Sequence, residues 1–152
     1  MLLSLYRFAT WIAGPLIGLY LRRRQSKGRE DPARLPERLG HASLPRPSGS
    51  LLWCHAASVG EAVSVLPLLE RFAAEYDGWR VLLTTGTVTS ARLVAERAQA
   101  GLLHQFVPVD RPGAVARFLD HWRPDLALWV ESELWPNLIR QTHARGIPMA
   151  LL

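Results

Sequence analysis

The sequence predicts an α/β fold built on a parallel β-sheet, and three observations support this class. Short β-prone runs recur at intervals of about 20 to 30 residues between residues 51 and 152, with a helix-like stretch between each pair. These runs are apolar throughout, which is typical of strands covered on both faces. Polar turns with glycine separate them from the helical stretches. The pattern favours βαβ crossovers between 51 and 152.

Each element has a local justification in the sequence. The predicted strands are LLWCHA (51–56), RVLLTT (80–85), HQFVPVD (104–110), LALWV (126–130) and PMALL (148–152). The predicted helices cover 61–75, 89–99, 112–121 and 134–145. Gly78 and Gly146 follow helix ends, where a left-handed residue is often needed. The chain stops inside the fifth predicted strand, so we expect an N-terminal part of a longer protein.

Composition restricts the function classes. The chain has 152 residues, enough for one domain with a core, and 49% of them are hydrophobic. The formal charge of +5 favours phosphates, acidic lipid surfaces or nucleic acid, or it reflects a solvated basic surface. Nucleic-acid binding is not predicted, because aromatic and basic residues are not interleaved for stacking. The single cysteine, Cys54, lies in an apolar run and is expected to be buried.

The first 50 residues differ from the rest. Residues 1–24 are mainly apolar and end in RRR, which predicts a membrane anchor helix with a basic flank on the cytoplasmic side. The alternative is a buried first helix. Residues 25–50 are polar and rich in proline, which predicts a connector with at most short helical pieces before a domain at 51–152.

Polar turns at the ends of the predicted strands are the candidate sites, because ligands of parallel α/β folds bind beyond the carboxyl ends of strands. The turn HAASVGE offers Ser58, Gly60 and free amides at a helix start, which suits an anion. Alternatively, Ser58 only caps the helix, with Glu61 completing a capping box.

Two further motifs carry carboxylates. ESELWPN (131–137) places Glu131 and Glu133 at the mouth of the fourth strand, where two carboxylates need solvent, hydrogen bonds or a ligand. RLPERLGH (34–41) places Glu37 beside Arg38 and before a turn at Gly40. On spacing alone, the second motif is an exposed salt-bridged loop. His, Cys and carboxylates show no metal-binding spacing, so no metal site is predicted.

In this order and spacing, ERLG, HAASVGE, LLTTGTVTS, VPVDRPGAVARFLDHWRPD and ESELWPN resemble the N-terminal half of the Kdo transferases (3-deoxy-D-manno-octulosonic acid transferases) of lipopolysaccharide biosynthesis. The resemblance covers nearly the whole chain. Ala57 and Ser132 depart from residues frequent in that family, and TGTVTS lacks its usual proline.

The resemblance implies a Rossmann-like, acceptor-binding N-terminal domain of an inverting GT-B glycosyltransferase at the cytoplasmic face of the inner membrane. Kdo would pass from CMP-Kdo, held by a missing C-terminal domain, to the phosphorylated glucosamine disaccharide of a lipid A precursor. The same resemblance implies that Glu37 is the general base and that the acceptor is bound by the residues Arg38, Ser58, Gly60, Glu131 and Glu133. No cofactor is implied besides the donor substrate. Two alternatives stay open: a GT-B transferase for another nucleotide sugar, and a membrane-tethered binding domain without catalysis.

Overall fold

The computed structural model describes residues 2–97, 101–130 and 134–152. In these residues, five parallel strands form one sheet in the order β3-β2-β1-β4-β5. The strands are β1 (Ser50–Ala56), β2 (Trp79–Thr85), β3 (Leu102–Phe106), β4 (Leu126–Trp129) and β5 (Met149–Leu151). The helices are α1 (Leu2–Ile12), α2 (Gly14–Ser26), α3 (Leu35–Arg38), α4 (Val59–Glu75), α5 (Val88–Arg97), α6 (Pro112–Trp122) and α7 (Pro136–Ala144). The predicted parallel α/β class is confirmed.

Helices cover both faces of the sheet, as the continuous apolar strands predicted. On one face, α6 and α7 pack against a cluster that includes Trp53 and Trp129, with ring centroids 4.9 Å apart. On the other face, α4 and α5 cover a cluster that includes Cys54, and burial raises the pKa of this thiol to about 12. The chain order reverses between β1 and β4, and in doubly wound folds this point opens a crevice at the carboxyl ends of the strands.

The third predicted strand is shorter than expected. The ladder ends at Phe106, whereas the apolar pattern predicted a strand to residue 110. Pro108 has no N–H to donate to a neighbouring strand, and the next amide, that of Val109, donates to the Arg38 carbonyl oxygen at 2.9 Å. Residues 107–110 therefore leave the sheet and become part of the wall of a cavity.

The prediction of one helix over residues 1–24 is wrong, whereas the role of this segment as a membrane anchor stays a prediction. The chain forms two helices that divide at Ala13, and Pro15 lies in the first turn of α2, where its missing N–H is tolerated. Among residues 2–97, 101–130 and 134–152, no helix has both the length and the apolar character required to cross a membrane.

The connector is folded onto the domain, and its sharp turn at Gly40 fixes its path. Gly40 has φ of 85°, a left-handed conformation that favours glycine. A Cβ at this position would collide with the carbonyl oxygen of Ala114 on α6. Gly28 also has a positive φ of 67°, but a Cβ there would meet nothing within 4 Å.

These two glycines give a matched test of the turn. Gly40→Ala should lower the free energy of unfolding by about 2 to 4 kcal/mol, since backbone strain adds to a collision with a neighbouring element. Gly28→Ala should cost only about 1 kcal/mol for the strain. Urea denaturation of both variants measures the difference, and equal losses would contradict the close approach of Gly40 to α6.

Candidate active site

A cavity of about 530 Å³ lies beyond the carboxyl ends of the strands. Turns that follow β1, β2 and β3 line it with Ala57, Gly86 and residues 107–110. Its opposite wall comes from α2, which contributes Ile17, Tyr20, Leu21 and Arg24. The cavity therefore offers polar turn groups on one side and a mainly apolar helix on the other.

The turn after β1 is held by reciprocal hydrogen bonds at the start of α4. The Glu61 amide donates to Ser58 Oγ at 3.2 Å, and the Ala57 amide donates to Glu61 Oε2 at 2.7 Å. The predicted cap by Ser58 is confirmed. Glu61 differs from a strict capping box, because its carboxylate accepts from the residue before the cap. Ser58 and Gly60 are exposed beside this turn, and their predicted role in acceptor binding stays a prediction.

The structure places Glu37 inside the protein, where its side chain is 1% exposed. Oε1 accepts hydrogen bonds from Arg34 Nε at 2.9 Å and from Ser43 Oγ. Oε2 accepts from Arg34 Nη2 at 2.9 Å and from the Phe106 amide at 2.7 Å. The expectation of an exposed salt-bridged loop is therefore wrong for this carboxylate. Four donor atoms occupy this carboxylate, and its predicted role as the general base stays a prediction.

Arg38 is also buried, but it forms part of the cavity wall. Its Nε donates to Glu30 Oε2 at 2.9 Å, and its other nitrogens donate to the carbonyl oxygens of Val107 and Gly86. Glu30 Oε1 in turn accepts from Arg24 Nε of α2 at 2.6 Å. The predicted contact of Arg38 with the acceptor stays a prediction, whereas its contacts with three separate segments are structural.

Asp110 is a site-lining carboxylate that sequence reasoning missed. Its Oδ2 accepts from Tyr6 of α1 at 2.9 Å and from the Asn137 amide at 3.0 Å. Its Oδ1 accepts from the Leu138 amide at 2.8 Å, so Asp110 caps α7 from another part of the chain. Burial, followed by the hydrogen bond to Asp110, raises the pKa of Tyr6 to about 12. The local signal was a carboxylate at the last residue of the third predicted strand.

Glu61 is a carboxylate that lies next to the lining of the cavity without being part of it. Its Oε1 has no hydrogen-bond partner among the residues that the structure describes, and its side chain is partly exposed. Its other oxygen is one hydrogen bond from cavity-lining Ala57. Glu131 and Glu133 lie outside the described residues, so their predicted role in acceptor binding stays a prediction.

His55 is buried at the end of β1, directly behind this turn. Its Nδ1 lies 3.1 Å from Thr84 Oγ1 on the neighbouring strand. Burial is the main cause that lowers the pKa of His55 from 6.5 to about 4. His104 on β3 shows the same effect, with a pKa lowered to about 3 by burial and by the nearby Arg34. Both imidazoles are therefore neutral at pH 7.

A second surface lies on the N-terminal helices, whose apolar side faces outwards. The large exposed side chains Leu5, Phe8 and Ile12 of α1, and Leu16 and Leu19 of α2, follow one another at intervals of three or four residues, so those of each helix lie on one face of that helix. We call these five residues the apolar stripe. The hydroxyls of α1 face the domain instead: Tyr6 donates to Asp110, and Thr10 Oγ1 accepts from Asn137 Nδ2 at 3.1 Å.

The buried imidazoles predict acid sensitivity of the fold. The pKa of His55 is depressed in the folded state, so the unfolded chain binds the proton first and stability is lost as pH falls from about 6.5 towards about 4. Between pH 6.5 and 5 the loss from His55 should be about 2 kcal/mol. Urea denaturation at several pH values across this range measures the loss of unfolding free energy. His55→Asn should show a smaller loss than the exposed-site control His143→Asn, and equal losses in the two would contradict it.

Comparison with known proteins assigns the family. The family model described as 3-deoxy-D-manno-octulosonic-acid transferase (kdotransferase) matches residues 33–152. A probable 3-deoxy-D-manno-octulosonic acid transferase, mitochondrial, of Arabidopsis thaliana is 43% identical over 97% of this chain and 33% of its own length. The 3-deoxy-D-manno-octulosonic acid transferase of Haemophilus influenzae is 35% identical over 92% of this chain and 33% of its own length. The 3-deoxy-D-manno-octulosonic acid transferase of Rickettsia bellii is 32% identical over 92% of this chain and 34% of its own length.

This chain spans about a third of the length of these curated relatives. The family model nevertheless covers most of the chain, from the connector to its last residue. By these matches, the chain belongs to the 3-deoxy-D-manno-octulosonic acid transferase (Kdo transferase) family of glycosyltransferases.

Proposed function

We propose that this chain is the acceptor-binding domain of an inverting GT-B Kdo transferase. The transfer proposed is that of Kdo from CMP-Kdo to the phosphorylated glucosamine disaccharide of a lipid A precursor. The observation that carries the proposal is the cavity at the carboxyl ends of the strands, with polar turns on one side and the apolar side chains of Ile17 and Leu21 from α2 on the other. A sugar headgroup joined to acyl chains requires both kinds of surface.

The polar side suits a sugar phosphate. Gly86 and Thr87 belong to the turn before α5, and Ala57 precedes the start of α4. Helix starts attract anions through the helix dipole, although the amides of Ala57 and Gly86 themselves donate to Glu61 Oε2 and to the Ala57 carbonyl oxygen. Arg24 and Arg38 add two guanidinium groups to the wall, which also contains the carboxylates of Glu30 and Asp110. CMP-Kdo would bind outside this cavity, on a further domain, and no cofactor besides this donor is proposed.

We assign the general base to Glu61 in preference to Glu37. An inverting transfer requires a carboxylate that removes the proton of the acceptor hydroxyl while its oxygen attacks the anomeric carbon and CMP departs. Glu37 has four hydrogen-bond donors on its oxygens and is buried. Glu61 has one oxygen anchored by the Ala57 amide and the other open, in a partly exposed position beside the cavity.

The apolar stripe supports attachment to a membrane surface. Helices with apolar residues on one side and basic residues nearby lie in the plane of the bilayer interface. Leu16, which is 70% exposed, and Leu19 belong to α2, the same helix that lines the cavity through Ile17 and Leu21. Attachment through the stripe would therefore bring the cavity next to a lipid acceptor, at the cytoplasmic face of the inner membrane.

Two glutamine substitutions separate the two candidate bases. In the complete transferase, Glu61→Gln should lower turnover by about a hundredfold or more, since general bases contribute about that much. Its unfolding free energy should change little, because the glutamine oxygen can still accept from the Ala57 amide. Glu37→Gln should instead lower the free energy of unfolding by about 3 kcal/mol, because the NH₂ group of the glutamine would face hydrogen-bond donors where the buried carboxylate now pairs with Arg34.

Turnover per folded enzyme and urea denaturation are the two measurements. A stable Glu37→Gln enzyme with a hundredfold loss of turnover would return the base to Glu37. Near-normal turnover of Glu61→Gln would remove Glu61 from this role.

The stripe gives an independent prediction for membrane attachment. The pair Phe8→Ser and Leu16→Ser should weaken binding to phospholipid vesicles by about a hundredfold or more, since each large apolar side chain contributes at least about tenfold on burial. Leu68→Ser is the control, because Leu68 is an exposed leucine on α4, outside the stripe. Vesicle co-sedimentation measures binding, and equal losses for the pair and the control would contradict a membrane role of the stripe.

A further inference from the structure

A basic groove separates α1 from α7, away from the cavity described above. It consists of two adjoining depressions of about 450 and 400 Å³, which share Arg7, Pro112 and Arg140 in their walls. Neither arginine lines the cavity at the carboxyl ends of the strands. We call the two depressions together the Arg7–Arg140 groove.

The two guanidinium groups of this groove have no partner within residues 2–97, 101–130 and 134–152. Among the residues that the structure describes, neither Arg7 nor Arg140 forms an ion pair or a side-chain hydrogen bond, and no carboxylate lines either depression. Arg145, at the C-terminal end of α7, shows the contrast: it is paired with Asp120 at 2.6 Å. Two cations around one groove repel each other unless an anion lies between them.

Exposed aromatic rings give the groove a second character. Phe8 and Trp11 line its outer depression and stack on each other with ring centroids 6.3 Å apart. Both rings are more than half exposed, and Phe8 also belongs to the apolar stripe. Tryptophan is enriched where bilayer headgroups meet acyl chains. A groove that joins such rings to unpaired arginines matches the boundary between lipid phosphate and hydrocarbon.

We propose that the Arg7–Arg140 groove binds the phosphate of an anionic phospholipid headgroup at the bilayer surface. This inference rests on the proposed membrane attachment and adds a specific site to it. Arg7 and Arg140 would contact the phosphate oxygens, for which guanidinium geometry is well suited. Phe8 and Trp11 would lie at the level of the upper acyl chains.

The groove would also fix the orientation of the domain on the membrane. The apolar stripe alone permits the domain to roll about the long axis of α1 and α2. A second contact through Arg140 of α7 removes that freedom, because α7 packs beside α6 on one face of the sheet. The mouth of the cavity would then keep a constant direction relative to the bilayer.

The test compares two double variants with the same change in charge. Arg7→Gln/Arg140→Gln removes the groove cations, whereas Arg80→Gln/Arg97→Gln removes two exposed arginines from β2 and α5. Binding of the purified chain is measured by co-sedimentation with phosphatidylcholine vesicles and with vesicles that also contain phosphatidylglycerol. Circular dichroism verifies the fold of each variant.

The groove variant should bind phosphatidylglycerol vesicles about 25-fold more weakly than the parent chain, since each arginine near an anionic surface contributes about fivefold. Its binding to pure phosphatidylcholine should change little, and the control variant should retain most of the preference for phosphatidylglycerol. Equal losses in the two double variants would overturn the headgroup site while leaving the stripe in place. If the parent chain binds neither kind of vesicle, both the site and the proposed membrane attachment are wrong.

Discussion

The buried carboxylate of Glu37 is the constraint on which the rest of this structure depends. It joins a four-residue helix of the connector to the end of β3 through the Phe106 amide. The guanidinium carbons of Arg34 and Arg38 lie 4.7 and 4.8 Å from the centroid of the Phe106 ring. Removal of one partner from a buried ion pair costs about 3 to 5 kcal/mol, because the other charge stays buried. The segment that looks like a linker in the sequence is therefore part of the folded domain.

This anchoring also positions the candidate active site. Arg38 lies next to Glu37 and donates to the carbonyl oxygens of Val107 and Gly86, so it holds the turns after β3 and β2 at fixed places in the cavity wall. Glu30 extends the same network to Arg24 of α2. Through these contacts, one cluster of charges connects the sheet edge, the apolar wall and the helices proposed to contact the membrane. The cavity is thus preorganised by buried polar groups, whereas Glu61 is held only by its own turn.

Local patterns predicted much of the fold. The strands and helices after residue 50 depend on neighbouring residues, as do the Ser58 cap and the left-handed Gly78 and Gly146, and the structure confirms them apart from the bounds of the third strand. Pro15 in the first turn of α2 is a local signal for the start of a second helix, which the apolar composition of the segment does not reveal. The burial of Glu37 and the cap by Asp110 were not predictable in this way, because their partners lie 69 and 28 residues away. Spacing identifies residues that are important, but it does not distinguish a buried anchor from a base.

The central claim is that the cavity at the carboxyl ends of the strands receives the acceptor and not the nucleotide sugar. The most direct measurement is a pair of NMR titrations of the purified chain, one with the phosphorylated glucosamine disaccharide and one with CMP-Kdo. The account predicts that the disaccharide shifts the amide signals of Ala57, Gly86 and Thr87, which line the cavity, and that CMP-Kdo leaves them in place. Shifts of these signals by CMP-Kdo, or no response to the disaccharide from a folded chain, would contradict it.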